Sequence, residues 1–172
     1  MILSLWELID IAVITCALGY IFSDMFSRYS RVQDDEYDPL LHYRKSFDWR
    51  SFWFAAMVTA PAIVLHEFGH KFTAIAFGAS ATFHAAGLFG IPYGGVLLGV
   101  VLKMMNAGFI FFVPAYVSHT PVTDIAGSII AFAGPAVNLL LWVLSLLVMK
   151  TGIHKSIKRR YHPLIMISGK IN

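Results

Sequence analysis

Charged residues are scarce in this sequence. Only 13% of its 172 residues are Asp, Glu, Lys or Arg, and 58% are hydrophobic. Ordinary soluble domains carry about 25% charged and about 45–50% apolar residues, so the composition argues against a soluble domain. The formal net charge is only +3. Because the basic residues are scattered, we expect no nucleic-acid partner, which would require them to gather on one face.

Thiols are nearly absent as well. The chain has one cysteine, Cys16, which excludes an intramolecular disulfide and any metal site built from several cysteines.

Long apolar runs, in contrast, dominate the chain. Three of them, residues 2–22, 52–77 and 125–149, meet or approach the roughly 20 residues that a helix needs to cross a bilayer. We therefore predict a mainly α-helical, multi-pass integral membrane protein with about three transmembrane helices. Residues 1–22 form the first helix, residues 23–51 a polar loop, and residues 52–172 the membrane core.

A different pattern follows the second apolar run. Residues 78–117 are apolar but interrupted by glycine and proline, which weaken a helix interior. Within them, residues 96–104 and 109–117 are rich in branched and aromatic side chains and flank a turn-like segment, residues 105–108. This pattern predicts a re-entrant β-hairpin between the second and third helices. A fourth helix through residues 88–102 is the alternative.

Polar residues inside the apolar runs have their own predicted places. Glu7 and Asp10 are three residues apart, so they share a helix face that we expect to point towards protein or the membrane interface. Lys71 is expected to extend its amine to the interface. Gly134-Pro135 is expected to kink its helix and allow close packing.

The segment His66-Glu67-Phe68-Gly69-His70 lies inside the second apolar run. Its histidines are at i and i+4, on one helix face, so they can share a metal ion. In zinc hydrolases with this spacing, the intervening glutamate takes a proton from the attacking water. The alternative is a chance match in which the histidines bond to the backbone or to one another. Ionisable groups are costly in a membrane helix, which favours a functional role.

These residues resemble the site-2 proteases, a family of intramembrane zinc metalloproteases. The match comprises the His66–His70 motif and the later segment Gly134-Pro135-Ala136-Val137-Asn138, which is similar to the family's Gly-Pro-x-x-Asn element. The resemblance implies bound Zn²⁺, β-structure near the active site, and cleavage of membrane-embedded protein substrates within the lipid bilayer. It implies His66 and His70 as metal ligands and Glu67 as the catalytic residue.

One family feature is missing. The third zinc ligand in that family is an aspartate in a Leu-Asp-Gly pattern, and this pattern does not occur in the sequence. We therefore expect either a chain that is incomplete at its C-terminal end or a substitute ligand, with Asp124, His84 and His119 as candidates. The alternative function is an inactive or truncated relative that binds metal or a membrane partner without proteolysis. An ion path through a transporter fragment is a weaker alternative.

Asn138 also has two interpretations. A buried amide in the middle of an apolar helix either bonds across helices or faces the site, where it contacts substrate or oxyanion. The resemblance favours the second interpretation.

Overall fold

The computed structural model describes residues 3–31, 47–107 and 113–151. Helix α1 spans Leu5–Arg31, helix α2 Trp49–Ala76, helix α3 Gly94–Met104 and helix α4 Asp124–Thr151. Strand β1 spans Ala81–Ala85 and strand β2 spans Ala115–His119.

Three of the described helices are long and apolar enough to cross a membrane. Their qualifying segments are Leu5–Phe26, Trp49–Ala76 and Asp124–Val148, which confirms the prediction of a mostly helical chain with three such helices. Helix α1 continues to Arg31, so the first part of the predicted polar loop is helical. The rest of that loop, up to residue 46, lies outside the described residues.

Helix α2 occupies the centre, because it packs against both α1 and α4. Its first turn is capped by Asp48, whose carboxylate accepts hydrogen bonds from the backbone N–H groups of Arg50 and Ser51 at 3.0 and 3.1 Å. Such a cap satisfies donors that a helix start leaves free. The helix is followed by Gly78 with a φ of 81°, a left-handed conformation that glycine adopts without strain.

The two strands form one antiparallel sheet, in which β1 contacts α1 and α2 and β2 contacts α2. Their register pairs Ala81 with His119 and Phe83 with Val117. Phe83 is fully buried and belongs to an apolar cluster that also contains Ile14 and Leu18 of α1. The sheet is therefore attached to the helices through its inner face.

The predicted β-hairpin is wrong: a two-stranded antiparallel sheet does occur between the second and third long helices in chain order, but helix α3 separates its strands. Residues 96–104 belong to helix α3, close to the alternative helix of the sequence analysis, and the first strand is the earlier segment Ala81–Ala85. Within residues 109–117, Ala115–Val117 are in β2, whereas residues 109–112 lie outside the described part. The predicted turn is present at Met105 and Asn106, where it ends α3. A helix satisfies its own backbone hydrogen bonds, and in an apolar segment this outweighs the β-propensity of valine.

The prediction for Lys71 is also wrong. Its side chain is 1% exposed and forms an ion pair with Glu7 of α1, which is itself 2–3% exposed. Of the two orientations predicted for Glu7 and Asp10, towards protein or towards the membrane interface, the structure has the first, since both are buried. A lysine with a carboxylate partner inside the protein has no need to extend to the interface.

Candidate metal centre

His66, Glu67 and His70 form a compact group on helix α2. Each is partly buried, and the ligand atoms that they offer lie within 4.8 Å of one another. The imidazole rings are 4.9 Å apart between centroids and nearly perpendicular. In the described part of the chain this is the one group of three or more His, Cys, Asp or Glu side chains that could hold a metal ion.

A hydrogen bond to helix α4 determines which nitrogen of His70 is free. His70 Nδ1 lies 2.7 Å from the carbonyl oxygen of Ile130. Because a carbonyl can only accept, Nδ1 carries the proton and donates it. The lone pair of the neutral ring is then on Nε2, where a metal ion would bind.

Asn138 on α4 holds His66 in a similar way. Its amide nitrogen Nδ2 lies 3.0 Å from His66 Nδ1. In this orientation Nδ2 donates to Nδ1, so the proton of the neutral ring is on Nε2 and blocks that atom as a ligand. A 180° rotation of the amide would let its oxygen accept from Nδ1–H and would leave Nε2 free, so metal binding through Nε2 requires this rotated orientation.

Two glycines allow α2 and α4 to approach closely at the cluster. A Cβ atom at Gly134 would overlap the Nε2 atoms of both His66 and His70, and a Cβ at Gly69 would lie 2.8 Å from the carbonyl oxygen of Ala133. The close packing predicted for Gly134 is thus confirmed. The absent side chain at Gly134 creates the space into which both imidazole nitrogens point.

None of the three proposed substitute ligands joins this group. His84 Nε2 is 3.1 Å from the Ser118 hydroxyl, and His119 Nδ1 is 2.9 Å from the carbonyl oxygen of Thr120. Asp124 is the first residue of α4. All three lie outside the His66–Glu67–His70 cluster.

Two contacts of this region escaped the sequence analysis. The Ile130 carbonyl carries no sequence signal, because every residue has one. The pairing of Glu7 with Lys71 had a signal, since the first apolar run holds acidic residues without a Lys or Arg, and Lys71 is the only Lys or Arg of the second run. Two such charges are stabilised when they meet.

Tyr93 stands apart from the cluster, between the sheet and α3. A hydrogen bond to Asp10, together with the negative charge of that carboxylate, raises the pKa of the Tyr93 phenol. Asp10 is also 4.0 Å from His84 Nδ1. Asp10 therefore lies beside both Tyr93 and His84.

Comparison of the chain with protein-family models, with curated proteins and with solved structures found no match. Any functional assignment must therefore come from its own residues and their geometry.

Proposed function

We propose that this chain is an integral membrane zinc metalloprotease that hydrolyses peptide bonds of membrane-embedded protein substrates, as its resemblance to the site-2 proteases implies. One observation carries the proposal. His66, Glu67 and His70 converge within 4.8 Å on a helix that is long and apolar enough to cross a membrane.

The membrane location is supported by the surface of the helices. Large apolar side chains are exposed along α4, among them Leu139, Leu140, Trp142, Leu144 and Leu147. A soluble protein rarely exposes such a continuous apolar patch, whereas lipid contact makes it favourable. Charged residues inside the same helices are costly unless they serve a function or have a partner.

The donor atoms suit zinc. Imidazole nitrogen and carboxylate oxygen are common zinc ligands, and the hydrogen bond from His70 Nδ1 to the Ile130 carbonyl is of the kind that fixes metal-binding histidines. His66 and His70 would hold the ion through Nε2, in the space left at Gly134.

The proposed reaction assigns the proton transfers to Glu67. The chemistry supplied by bound zinc is polarisation of the scissile carbonyl and acidification of the attacking water. Glu67 takes a proton from the attacking water while the water oxygen bonds to the carbonyl carbon of the substrate. Glu67 then passes this proton to the leaving amine as the C–N bond breaks. Its place between the two histidines in sequence, and beside them in space, suits this role.

The substrate must be extended locally before it is cut. A transmembrane helix engages its own peptide groups in hydrogen bonds, so its scissile bond is shielded. The sheet formed by β1 and β2 contacts α2, and an edge of a sheet can pair with an extended segment. Strand addition would thus present an unwound substrate near the cluster.

A metal analysis and a cleavage assay together test the proposal. The purified chain is expected to contain zinc, and the double variant His66→Ala/His70→Ala is expected to lose it. His119→Ala is the matched control, because this histidine lies outside the cluster. Cleavage of a reconstituted single-span substrate should disappear in Glu67→Gln while zinc is kept. Retention of zinc by the double variant would contradict the proposal.

A second function is favoured by the number of ligands. Catalytic zinc usually has three protein ligands, and the described residues supply two imidazoles and Glu67. If Glu67 acts as the base, only His66 and His70 remain as ligands, one fewer than catalytic zinc usually has. A protein that binds metal or a membrane partner without proteolysis is compatible with two ligands. Zinc content that depends on His66 and His70, without any cleavage that depends on Glu67, would identify this second function.

A further inference from the structure

Ser118, His84 and Asp10 form a row of polar side chains on the outer face of the β1–β2 sheet. His84 Nε2 lies 3.1 Å from the Ser118 hydroxyl, and His84 Nδ1 lies 4.0 Å from Asp10 Oδ2. The three residues come from β2, β1 and α1. A nucleophile within hydrogen-bond distance of a base, with a third group that orients the base, is the arrangement that activates a serine.

This row is separate from the His66–Glu67–His70 cluster. Side chains alternate between the two faces of a strand, so His84 lies on the opposite face from Phe83, which packs on Phe68 of α2. Phe83 is fully buried, whereas Ser118 is exposed and the His84 side chain is 39% exposed. A reagent can therefore reach Ser118 without entering the space around the metal cluster.

The Asp10 carboxylate favours the tautomer of His84 that a base beside Ser118 requires. An ionised carboxylate only accepts hydrogen bonds, so it favours the proton of the neutral ring on Nδ1. The lone pair is then on Nε2, where it accepts the hydrogen of the Ser118 hydroxyl. Among the residues that the structure describes, His84 is the one hydrogen-bond partner of that hydroxyl.

Two tyrosines support this arrangement. Tyr93 forms a hydrogen bond with Asp10. Its φ of 59° is uncommon for a residue with a side chain, and backbone strain of this kind clusters at functional sites. Tyr116 is the register partner of His84, and the two ring centroids are 5.4 Å apart with the planes inclined by 33°. The carboxylate and the imidazole are thus each held by a neighbour other than the nucleophile.

We propose that Ser118 is the nucleophile of a second, zinc-independent site that hydrolyses carboxylic esters with an apolar acyl chain, with His84 as general base and Asp10 as positioning residue. Ser118 Oγ bonds to the acyl carbon while its proton moves to His84 Nε2. The bond between the acyl carbon and the ester oxygen then breaks, and His84 Nε2 gives the proton to the leaving alcohol. Water attacks the acyl-Ser118 ester with the same base, which releases the carboxylic acid and restores the hydroxyl.

The ester class follows from the leaving group and from the surroundings of the row. An ester expels an alcohol more readily than a peptide expels an amine, so it depends less on assistance beyond a general base, which contributes about 10²–10⁴-fold. Tyr116 beside His84 and Ile9 beside Asp10 expose apolar surface. Burial of such surface by the substrate favours an apolar acyl chain.

Labelling with a fluorophosphonate tests the nucleophile directly. This reagent phosphonylates an activated serine with loss of fluoride, and peptide mass spectrometry locates the label. On the detergent-purified full chain we expect the label at Ser118, and Ser118→Ala should abolish it. Ser128→Ala is the matched control, because the Ser128 hydroxyl donates to the Asp124 carbonyl at 2.9 Å and not to a base.

Rescue separates a catalytic role of His84 from a structural one. His84→Ala should be labelled about 10²–10⁴-fold more slowly than the parent, and added imidazole should restore part of the rate. Asp10→Asn should slow labelling at least about tenfold. Loss of the carboxylate charge should also lower the fraction of His84 rings with the proton on Nδ1, which nitrogen chemical shifts measure by NMR. Thermal unfolding verifies that each variant is folded.

Hydrolysis of p-nitrophenyl butyrate measures turnover. Hydrolysis that depends on Ser118 and His84 and persists in Glu67→Gln would support the second site, whether or not the parent chain cleaves membrane substrates. Absence of label at Ser118, or a labelling rate unchanged in His84→Ala, would overturn the assignment of the nucleophile and base. Labelling without ester hydrolysis would overturn the hydrolase activity. Loss of labelling on removal of zinc by a chelator would overturn the independence of the two sites.

Discussion

Replacing Gly134 with alanine tests the geometry of the metal centre by adding one methyl group. In helix α4 the new Cβ would overlap the Nε2 atoms of His66 and His70. These are the atoms that would bind zinc, so the methyl group must push the rings or the helices apart. Gly127 on the same helix is the matched control, because a Cβ there meets only Val122 Cγ2, at 3.9 Å.

The expected changes in stability and zinc affinity differ between Gly127→Ala and Gly134→Ala. Alanine is favoured over glycine in a helix by up to about 1 kcal/mol, and Gly127→Ala should gain part of this. Gly134→Ala has the same helical gain but also a cost of overpacking, which is about 1–3 kcal/mol. The metal site is more sensitive still, because metal–ligand distances tolerate deviations of only about 0.2 Å. We expect zinc affinity to fall at least 10- to 100-fold, roughly the loss that follows disturbed ligand orientation.

The assay is zinc binding by competition with a chromophoric chelator, on detergent-purified parent, Gly127→Ala and Gly134→Ala chains. Thermal unfolding of the zinc-free chains measures the packing cost separately. Parent-like zinc affinity in Gly134→Ala would refute the placement of the metal between the two imidazoles and α4. A comparable loss in Gly127→Ala would instead indicate a general effect of substitutions in α4.

Three further predictions concern neighbouring residues. Asn138→Asp provides an acceptor for His66 Nδ1–H and should retain the zinc affinity of the parent, whereas Asn138→Ala should lower the zinc affinity about 10- to 100-fold. Equal affinities of the two variants in the same competition assay would assign Asn138 to substrate contact only. Glu7→Leu leaves Lys71 buried without its carboxylate and should lower the free energy of unfolding by about 3–5 kcal/mol. Adding Lys71→Met should restore most of this loss, measured by thermal unfolding. No recovery would show that the loss does not come from the unpaired charge of Lys71. Single alanine substitutions of the three proposed substitute ligands, His84, His119 and Asp124, should leave the zinc stoichiometry unchanged. Loss of bound zinc in any one of these variants would identify that residue as a third ligand.

The helices were predictable because their signal is local. Each long apolar run specifies a helix through its own length and composition, and all three were located within a few residues. The relation of Glu7 to Lys71 was not predictable in the same way. It depends on α1 and α2 packing side by side, which the two runs do not specify individually.

The strands were misassigned for a related reason. Residues 96–104 contain three valines and three leucines in close succession, and the valines favour a strand locally, yet the segment belongs to α3. The true partner of β2 is the short segment Ala81–Ala85, about thirty residues earlier in the chain. Pairing over such a distance leaves no turn signal next to the strands. The predicted turn at Asn106 instead terminates α3, where Asn106 has a φ of 52°.

The two histidines of the candidate site, His66 and His70, could be found from sequence, because i and i+4 spacing in a helix places them together whatever the tertiary fold. The contacts that surround these histidines could not be predicted from sequence. The carbonyl of Ile130 and the space at Gly134 come from α4, more than fifty residues later. The Gly-Pro-x-x-Asn segment indicated that this part of α4 matters, but not that its glycine faces the imidazole nitrogens.

Helix α2 contacts α4 and the β1–β2 sheet through opposite faces. His66 and His70 point to α4, whereas Phe68 packs on Phe83 of β1 and Lys71 pairs with Glu7. Successive residues are turned by about 100° around a helix, so Lys71 lies well round from His70 although it is the next residue. The buried pair therefore fixes α2 against α1 and β1 without occupying the face of α2 that carries His66 and His70. Because the same carboxylate binds Phe83 N–H, one interaction sets the rotation of α2 and occupies one edge of the sheet.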